Sequence, residues 1–361
     1  QGAQRTSNQA AFMKLKKGGS GGLEKKAIKY EEPNGLIVEH VDDLIYAGTK
    51  EFEESFIEKI KERLPFGKED NAIDGYKYTG VNVSQNAEEK WITLDQREYC
   101  RNISPVPLEK CAIGTEQVDW KIQAAYRSLL GAIQWAAQRT RPDVSYQSSR
   151  MARCSGKATV DDMRELNKVA KVLNGTCNLV LKISRLNPND KIRILGIADA
   201  NFMREEKDKS QGGYWIFLAE DKDSTDEAIE VALIEWKSWV LKRAAGSTLD
   251  AETQALRVCM DQCVFVKELL RWMFGKAYPI DCRSDCKSLV TAVHSTKAVD
   301  NARTNVQVQQ MRDDIEEGDI RTCEHIPGVT NPADTFTKSC DPKIRTIVHQ
   351  LMMDGKLEKC K

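Results

Sequence analysis

No stretch of this chain approaches the roughly 20 consecutive apolar residues that a bilayer-spanning helix requires, which excludes a helical membrane protein. Charge of one sign is also lacking. Lysine plus arginine and aspartate plus glutamate number 54 each, so no whole-chain basic excess advertises nucleic acid. The balance leaves such a partner open, because a basic patch on one face coexists with zero net charge and acidic metal ligands offset phosphate-binding cations. Zinc-knuckle spacing is absent as well: Cys259/Cys263 and Cys282/Cys286 leave three-residue gaps, with no histidine at ligand spacing beside them. Buried thiols are the expectation there. Eleven cysteines, an odd number without a signal peptide, suit a reduced protein of the cytoplasm or nucleus. There is no internal repeat and no initiating methionine. The chain opens on Gln1, and residues 1–22, ending in Gly-Gly-Ser-Gly-Gly, read as a flexible leader, which suggests a fragment or processed product.

What is present is ordinary globular material, 30% charged and 41% hydrophobic, long enough at 361 residues for two or three domains. Gly35 to Ala47 (GLIVEHVDDLIYA) is two apolar runs around an acidic turn, a hairpin pattern. A charged helix over roughly Glu51 to Leu64 follows. Gly75 to Val83 and Lys90 to Leu94 then alternate as strands, with Gln85 to Glu89 as their turn. From about Asp119 to Ile183 the period becomes helical, with Tyr126, Leu129, Leu130, Ile133 and Ala137 on one face and Val169, Ala170 and Leu173 on another. Arg141-Pro142 breaks it once, and the turn cluster Asn187-Pro188-Asn189-Asp190 ends it.

Beyond Lys191 the pattern predicts strands at Ile192–Ala198, Gly213–Leu218 and Val231–Val240, a helix from Leu249 to Phe274 and a strand over Pro279–Arg283. A short helix, a helix near Asn301–Glu316, a strand over Ile320–Ile326 and a last helix after Asn331 complete it. Three meandering strands followed by βαβ crossings imply a mixed sheet with helices packed on it, an α/β unit in a chain that is α+β overall.

Four acids fall at informative places in that order. Asp199 ends the first strand, where an acid in a turn is commonplace. Glu252 is less ordinary, because it shares the apolar stripe Leu249, Leu256, Cys259, Cys263 and Leu270, and a buried carboxylate needs a compensating partner. Asp250 and Asp261 point off that stripe and read as solvated. Asp285 closes a second strand and could equally cap the helix that follows. Asp334 comes just after Asn331-Pro332, a helix-start signature that favours an acid by its dipole. Singly each has a bland explanation. Together, adjacent parallel strand ends flanked by two helices bring four carboxylates to one point. Such a point suits two Mg²⁺ ions about 3.5–4 Å apart, with Mn²⁺ as a substitute, for hydrolysis of a phosphodiester.

These segments resemble the RNase H domain of copia-type retrotransposon Pol polyproteins. IADANF (197–202), KSQGGYWIFL (209–218), EWKSWVLKRAAGSTLDAETQAL (235–256), CRSDCKSL (282–289), NARTN (301–305) and HIPGVTNPADTFTK (325–338) occur in that family's order. The resemblance implies an RNase H-like mixed sheet whose catalytic metal ligands are Asp199, Glu252, Asp285 and Asp334. It also implies an RNA/DNA hybrid as partner, gripped through backbone and 2′-OH contacts. Arg303, Lys287 and Lys338 are then the expected nucleic-acid contacts, and His325, at a strand position, is read as structural.

Upstream, HVDDLIYAGT (40–49) resembles the aspartate-pair hairpin of a reverse transcriptase palm. YKYTGVNVSQ, ITLDQREYC, YRSLLGAIQWAAQRTRPDVSY and MRELNKVAKVLNGT follow in the family's order. Asp42 and Asp43 would be polymerase metal ligands. His40 replaces the usual tyrosine, however, and residues 1–34 hold nothing like the third polymerase carboxylate or a fingers region, so polymerisation by this chain alone is not expected. The implied organisation is a leader (1–34), a truncated palm (35–118), a helical thumb-like connection (119–190), the RNase H-like domain (191–340) and a C-terminal tail helix (341–361). The expected function is cleavage of the RNA strand of hybrids. The alternatives are a reverse transcriptase completed by the missing polymerase part, or an inactive nucleic-acid-binding relic.

Overall fold

The computed structural model describes residues 11–14, 33–41, 43–86, 88, 91–109, 113–186, 191–202, 209–221, 228–339 and 342–357. Asp42, part of the expected turn at 85–89 and the turn cluster at 187–190 lie outside the described residues. Among the described residues no helix is long and apolar enough to cross a membrane.

Three sheets organise the described residues. The first is antiparallel: β1 (Ala11–Lys14), β2 (Gly35–His40) and β3 (Asp43–Gly48), so a piece of the expected leader is a strand paired with β2. The β2–β3 turn passes through Val41 at φ 58°, an unfavourable conformation for a β-branched residue, and leaves it 83% exposed. The expected charged helix is present in three pieces, α1 (Lys50–Phe52), a π-helical turn (Glu53–Ile57) and α2 (Glu58–Arg63). Its Phe52 lies against Gly35 and Gly48, where added Cβ atoms would meet the ring at 2.3 and 2.5 Å. Among the described residues, Ile37, Phe52 and Ile57 form this unit's buried core.

The second sheet runs β4 (Tyr76–Tyr78), β5 (Val81–Asn86), β6 (Trp91–Asp95) and β7 (Leu181–Ser184). Here the structure corrects the expectation of helix as far as Ile183. Leu181–Ser184, buried at both ends and half-buried between, finds its partner, β6, some ninety residues upstream, a pairing that local periodicity does not contain. Between β6 and β7 lie α3 (Arg97–Asn102), α4 (Trp120–Arg139), α5 (Ser145–Ala152) and α6 (Val160–Gly175). The two predicted apolar faces of α4 and α6 share one core. A capping box between Thr159 and Asp162 starts α6. The Arg141-Pro142 break becomes a 3₁₀ turn whose Arg141, 1% exposed, makes a two-pronged ion pair with Asp143 at 2.8 and 2.7 Å.

The third sheet contains β8 (Ile192–Asn201), β9 (Gln211–Glu220), β10 (Ile229–Val240), β11 (Ile280–Ser284), β12 (Thr322–His325) and β13 (Lys356–Leu357). Its spatial order is β12-β11-β8-β9-β10-β13, antiparallel through β8, β9 and β10 and parallel between β8, β11 and β12. This is the mixed sheet expected, with α7 (Thr248–Phe274), α8 (Lys287–Val293) and α9 (Ala302–Glu316) alongside. Alternation in β8 supplies both cores: Ile194 and Ala198 pack with α7, while Leu195 and Ile197 pack with Trp215, Phe336 and the last helix. The helix expected just after Asn331 is not there, while the observed last helix lies within the span expected for the tail helix, 341–361. Pro332–Phe336 forms only a 3₁₀ turn, and α10 spans Pro342–Asp354, after which β13 pairs with β10.

Candidate metal centre

Asp199 reaches the centre because β8 runs on to Asn201, paired with β9 and just past the end of β11. Opposite it stands Gly213, where a Cβ would lie 2.3 Å from Phe336 Cβ. The glycine thus lets the 3₁₀ turn carrying Asp334 settle onto the strand end. Asp199 is 3% exposed and accepts a hydrogen bond from the Thr337 hydroxyl. Asn331 fixes the same turn: its side chain accepts from the Ala333 N–H at 3.0 Å and donates to the Ala198 carbonyl at 3.4 Å.

Carboxylate oxygens of Asp199, Asp285 and Asp334 all lie within 4.8 Å of one another. Glu252 stands beside them in the second turn of α7, a helix started by the Ser247 cap on the Asp250 N–H. Glu252 is 5% exposed, and its Oε2 has no hydrogen-bond partner; the same is true of Asp334 Oδ1. Electrostatics report the crowding. Burial first, then the charges of Asp334 and Asp285, push the Asp199 carboxyl up to about 7. Burial, then Asp199 and Asp285, raise Glu252 far above the carboxylate range, and burial with Asp334 raises Asp285. Two orphaned buried oxygens among mutually repelling carboxylates fit oxygen-seeking divalent cations.

Lys338, expected at a phosphate, is ion-paired with Asp334, Nζ to Oδ2 at 2.8 Å, and against the cost of burial its ammonium is held charged by Asp334, Asp199 and Asp285 together. Lys287 and Arg303 are exposed in the first turns of α8 and α9. Asp43 is exposed in β3 and joins no metal-competent cluster among the described residues. His325 ends β12, exposed, opposite Ser284. Sequence reasoning missed Thr337, although a hydroxyl three residues past a turn's acid is a readable signal. It also misplaced Asp250, which is 4% exposed rather than solvated, paired with Arg243 at 2.5 Å and accepting from the Gly246 N–H at 2.9 Å. Asp281 is buried at the opposite end of β11 and bound by Arg193 and Arg321, so its charge is already compensated.

The chain matches no family model. Over 200 residues, 53% of this chain and 12% of the relative, it is 24% identical to the retrovirus-related Pol polyprotein from transposon RE1 of Arabidopsis thaliana. Over 337 residues, 86% of this chain and 24% of the relative, it is 24% identical to the corresponding polyprotein from transposon TNT 1-94 of Nicotiana tabacum. It therefore spans a quarter or less of these curated relatives, which agree with the resemblance drawn from the motifs. Among solved structures, the foamy viral protease-reverse transcriptase in complex with RNA/DNA hybrid is 14% identical, with TM-score 0.44, over 85% of this chain and 37% of that one. RNase H1 from the halophilic archaeon Halobacterium salinarum NRC-1 is 14% identical, with TM-score 0.28, over 40% of this chain and 94% of that one.

Proposed function

We propose that this chain, similar to copia-type retrovirus-related Pol polyproteins of plant transposons, hydrolyses the RNA strand of RNA/DNA hybrids at its carboxylate cluster. The convergence of Asp199, Asp285 and Asp334 beside a buried Glu252 with an unpartnered oxygen carries the reading. When bound, a pair of Mg²⁺ or Mn²⁺ ions would supply an activated water and steady the leaving oxygen of the phosphodiester. Asp199, Glu252, Asp285 and Asp334 would hold them. Thr337 fixes the Asp199 carboxylate by its hydrogen bond, leaving fewer orientations to be lost on binding. Lys338 balances the cluster's charge, and would be free to turn toward phosphate if bound cations took over that task. Lys287 and Arg303 meet the hybrid's backbone. Asp42 and Asp43 belong, in this reading, to a reverse transcriptase palm rather than to the nuclease centre.

Incubating a labelled RNA/DNA hybrid with the protein and Mg²⁺ or Mn²⁺, with Asp285→Asn as control, tests the proposal. Metal-dependent cleavage by the wild type alone is expected. Equal cleavage by both proteins, or none by either, overturns it.

A further inference from the structure

The 3₁₀ turn that carries Asp334 is fastened to the third sheet at both ends. Where the turn begins, Trp215 Nε1 donates to the Pro332 carbonyl at 3.1 Å. Where it ends, the Ser238 hydroxyl donates to the Phe336 carbonyl at 2.6 Å and Asn201 Nδ2 to the Thr337 carbonyl at 3.2 Å. The last two bonds flank Thr337, whose own hydroxyl holds Asp199.

The Ser238 link continues beyond the turn. Its oxygen accepts from Gln211 Nε2, at the start of β9, at 2.9 Å, and the same nitrogen donates to the Ser149 hydroxyl of α5 at 2.9 Å. The Gln211 amide oxygen accepts from Arg153, the residue that closes α5, at 2.6 Å, and Arg153 also donates to the Lys209 carbonyl at 3.1 Å. Gln211 is fully buried, so this pattern of one accepted and two donated bonds satisfies an amide that has no water to turn to. Its sense is fixed as well. A guanidinium can only donate, so Arg153 decides which end of the amide is oxygen. The amide NH₂ must then face the two hydroxyls, and Ser238, accepting from it, sends its own proton to Phe336. With Arg153 gone the amide is free to turn over. A Ser238 hydroxyl that meets the amide oxygen gives its proton there, and the turn loses a fastening.

Resting on the reading of the carboxylates as a metal centre, we propose that Gln211 is a positioning residue through which α5 sets the turn bearing Asp334 and Thr337. The centre then takes divalent cations at full affinity only when Arg153 orients that amide.

The test compares wild type, Arg153→Met, Ser238→Ala and the double variant. Mn²⁺ affinity is read by calorimetry, and hydrogen exchange is read at the Thr337 and Lys338 amides, both bonded to the Asp334 carbonyl. Thr159→Ala, which removes the cap of α6, controls for destabilisation alone. Each single variant should weaken Mn²⁺ binding and speed exchange about 5-fold, and the double variant should do no more than the stronger single one. Thr159→Ala should do neither. Effects that multiply in the double variant, a Thr159→Ala effect as large as that of Arg153→Met, or unchanged exchange in Arg153→Met overturns the proposal. Should Ser238→Ala fail to fold, Arg153→Met against Thr159→Ala decides. Neither readout involves cleavage: a wild type that binds Mn²⁺ without cutting hybrid sinks the nuclease reading alone, and multiplying effects in a chain that cuts normally sink this one alone.

Discussion

The first sheet and the third each present acids that the sequence marked as metal ligands, and they treat them in opposite ways. Asp43 lies exposed on a hairpin whose unit buries three core residues. Asp199, Glu252 and Asp334 are each less than 8% exposed, at the meeting of a six-stranded sheet, a 27-residue helix and a 3₁₀ turn. An exposed acid costs the fold almost nothing, whereas carboxylates crowded in low dielectric are unfavourable unless something compensates them. The same residue type is thus uninformative in one unit and strong evidence in the other.

The contrast is broken most directly at its strongest point. Asp285→Asn should reduce hybrid cleavage about 100-fold or more while leaving the circular dichroism spectrum intact, since ligand loss exceeds the 10- to 100-fold typical of supporting residues. Thr337→Val should act one step away, weakening Mn²⁺ binding, measured by calorimetry, about 10-fold. Without metal, pH should separate the units further. Asp199 is raised to about 7, so the folded state holds more protons than the unfolded one between the ordinary carboxylate range and that value. Stability in EDTA should therefore fall as pH rises through this window, by about 2–4 °C in Tm per kcal/mol, and saturating Mg²⁺ should flatten the slope. A slope as steep with Mg²⁺ as without would detach the titration from the cluster. The smallest effect belongs to the first sheet: Asp43→Asn should change stability in denaturant titration by less than about 0.5 kcal/mol and leave hybrid cleavage as it is.

How far the residues themselves disclosed this follows from the range of the interactions involved. The stripe through Glu252 and the apolar runs before Asp199 and Asp285 are local periodicities, and the elements they predict stand within three residues of the observed ends. β7 was invisible because its partner is a distant strand. Asp250 looked solvated because Arg243, which holds it, lies before the helix cap, outside the periodic stripe. Lys338 was readable as a cation near the site, but its ion pair with Asp334 depends on a 3₁₀ turn followed by a break, where the pattern suggested continuous helix.

The chain's last strand has a mechanical consequence. Gly355, at φ 64°, bends the backbone so that its carbonyl accepts from Val231 N at 3.0 Å and from the Ser184 hydroxyl at 3.4 Å, one partner in each of the two larger sheets. Trp236 Nε1 adds a second tie by donating to the Ala137 carbonyl at 2.9 Å. These few residues thus act as a clasp: heat or force that opens one sheet pulls on the other, and the two should melt in one cooperative transition rather than as beads on a string.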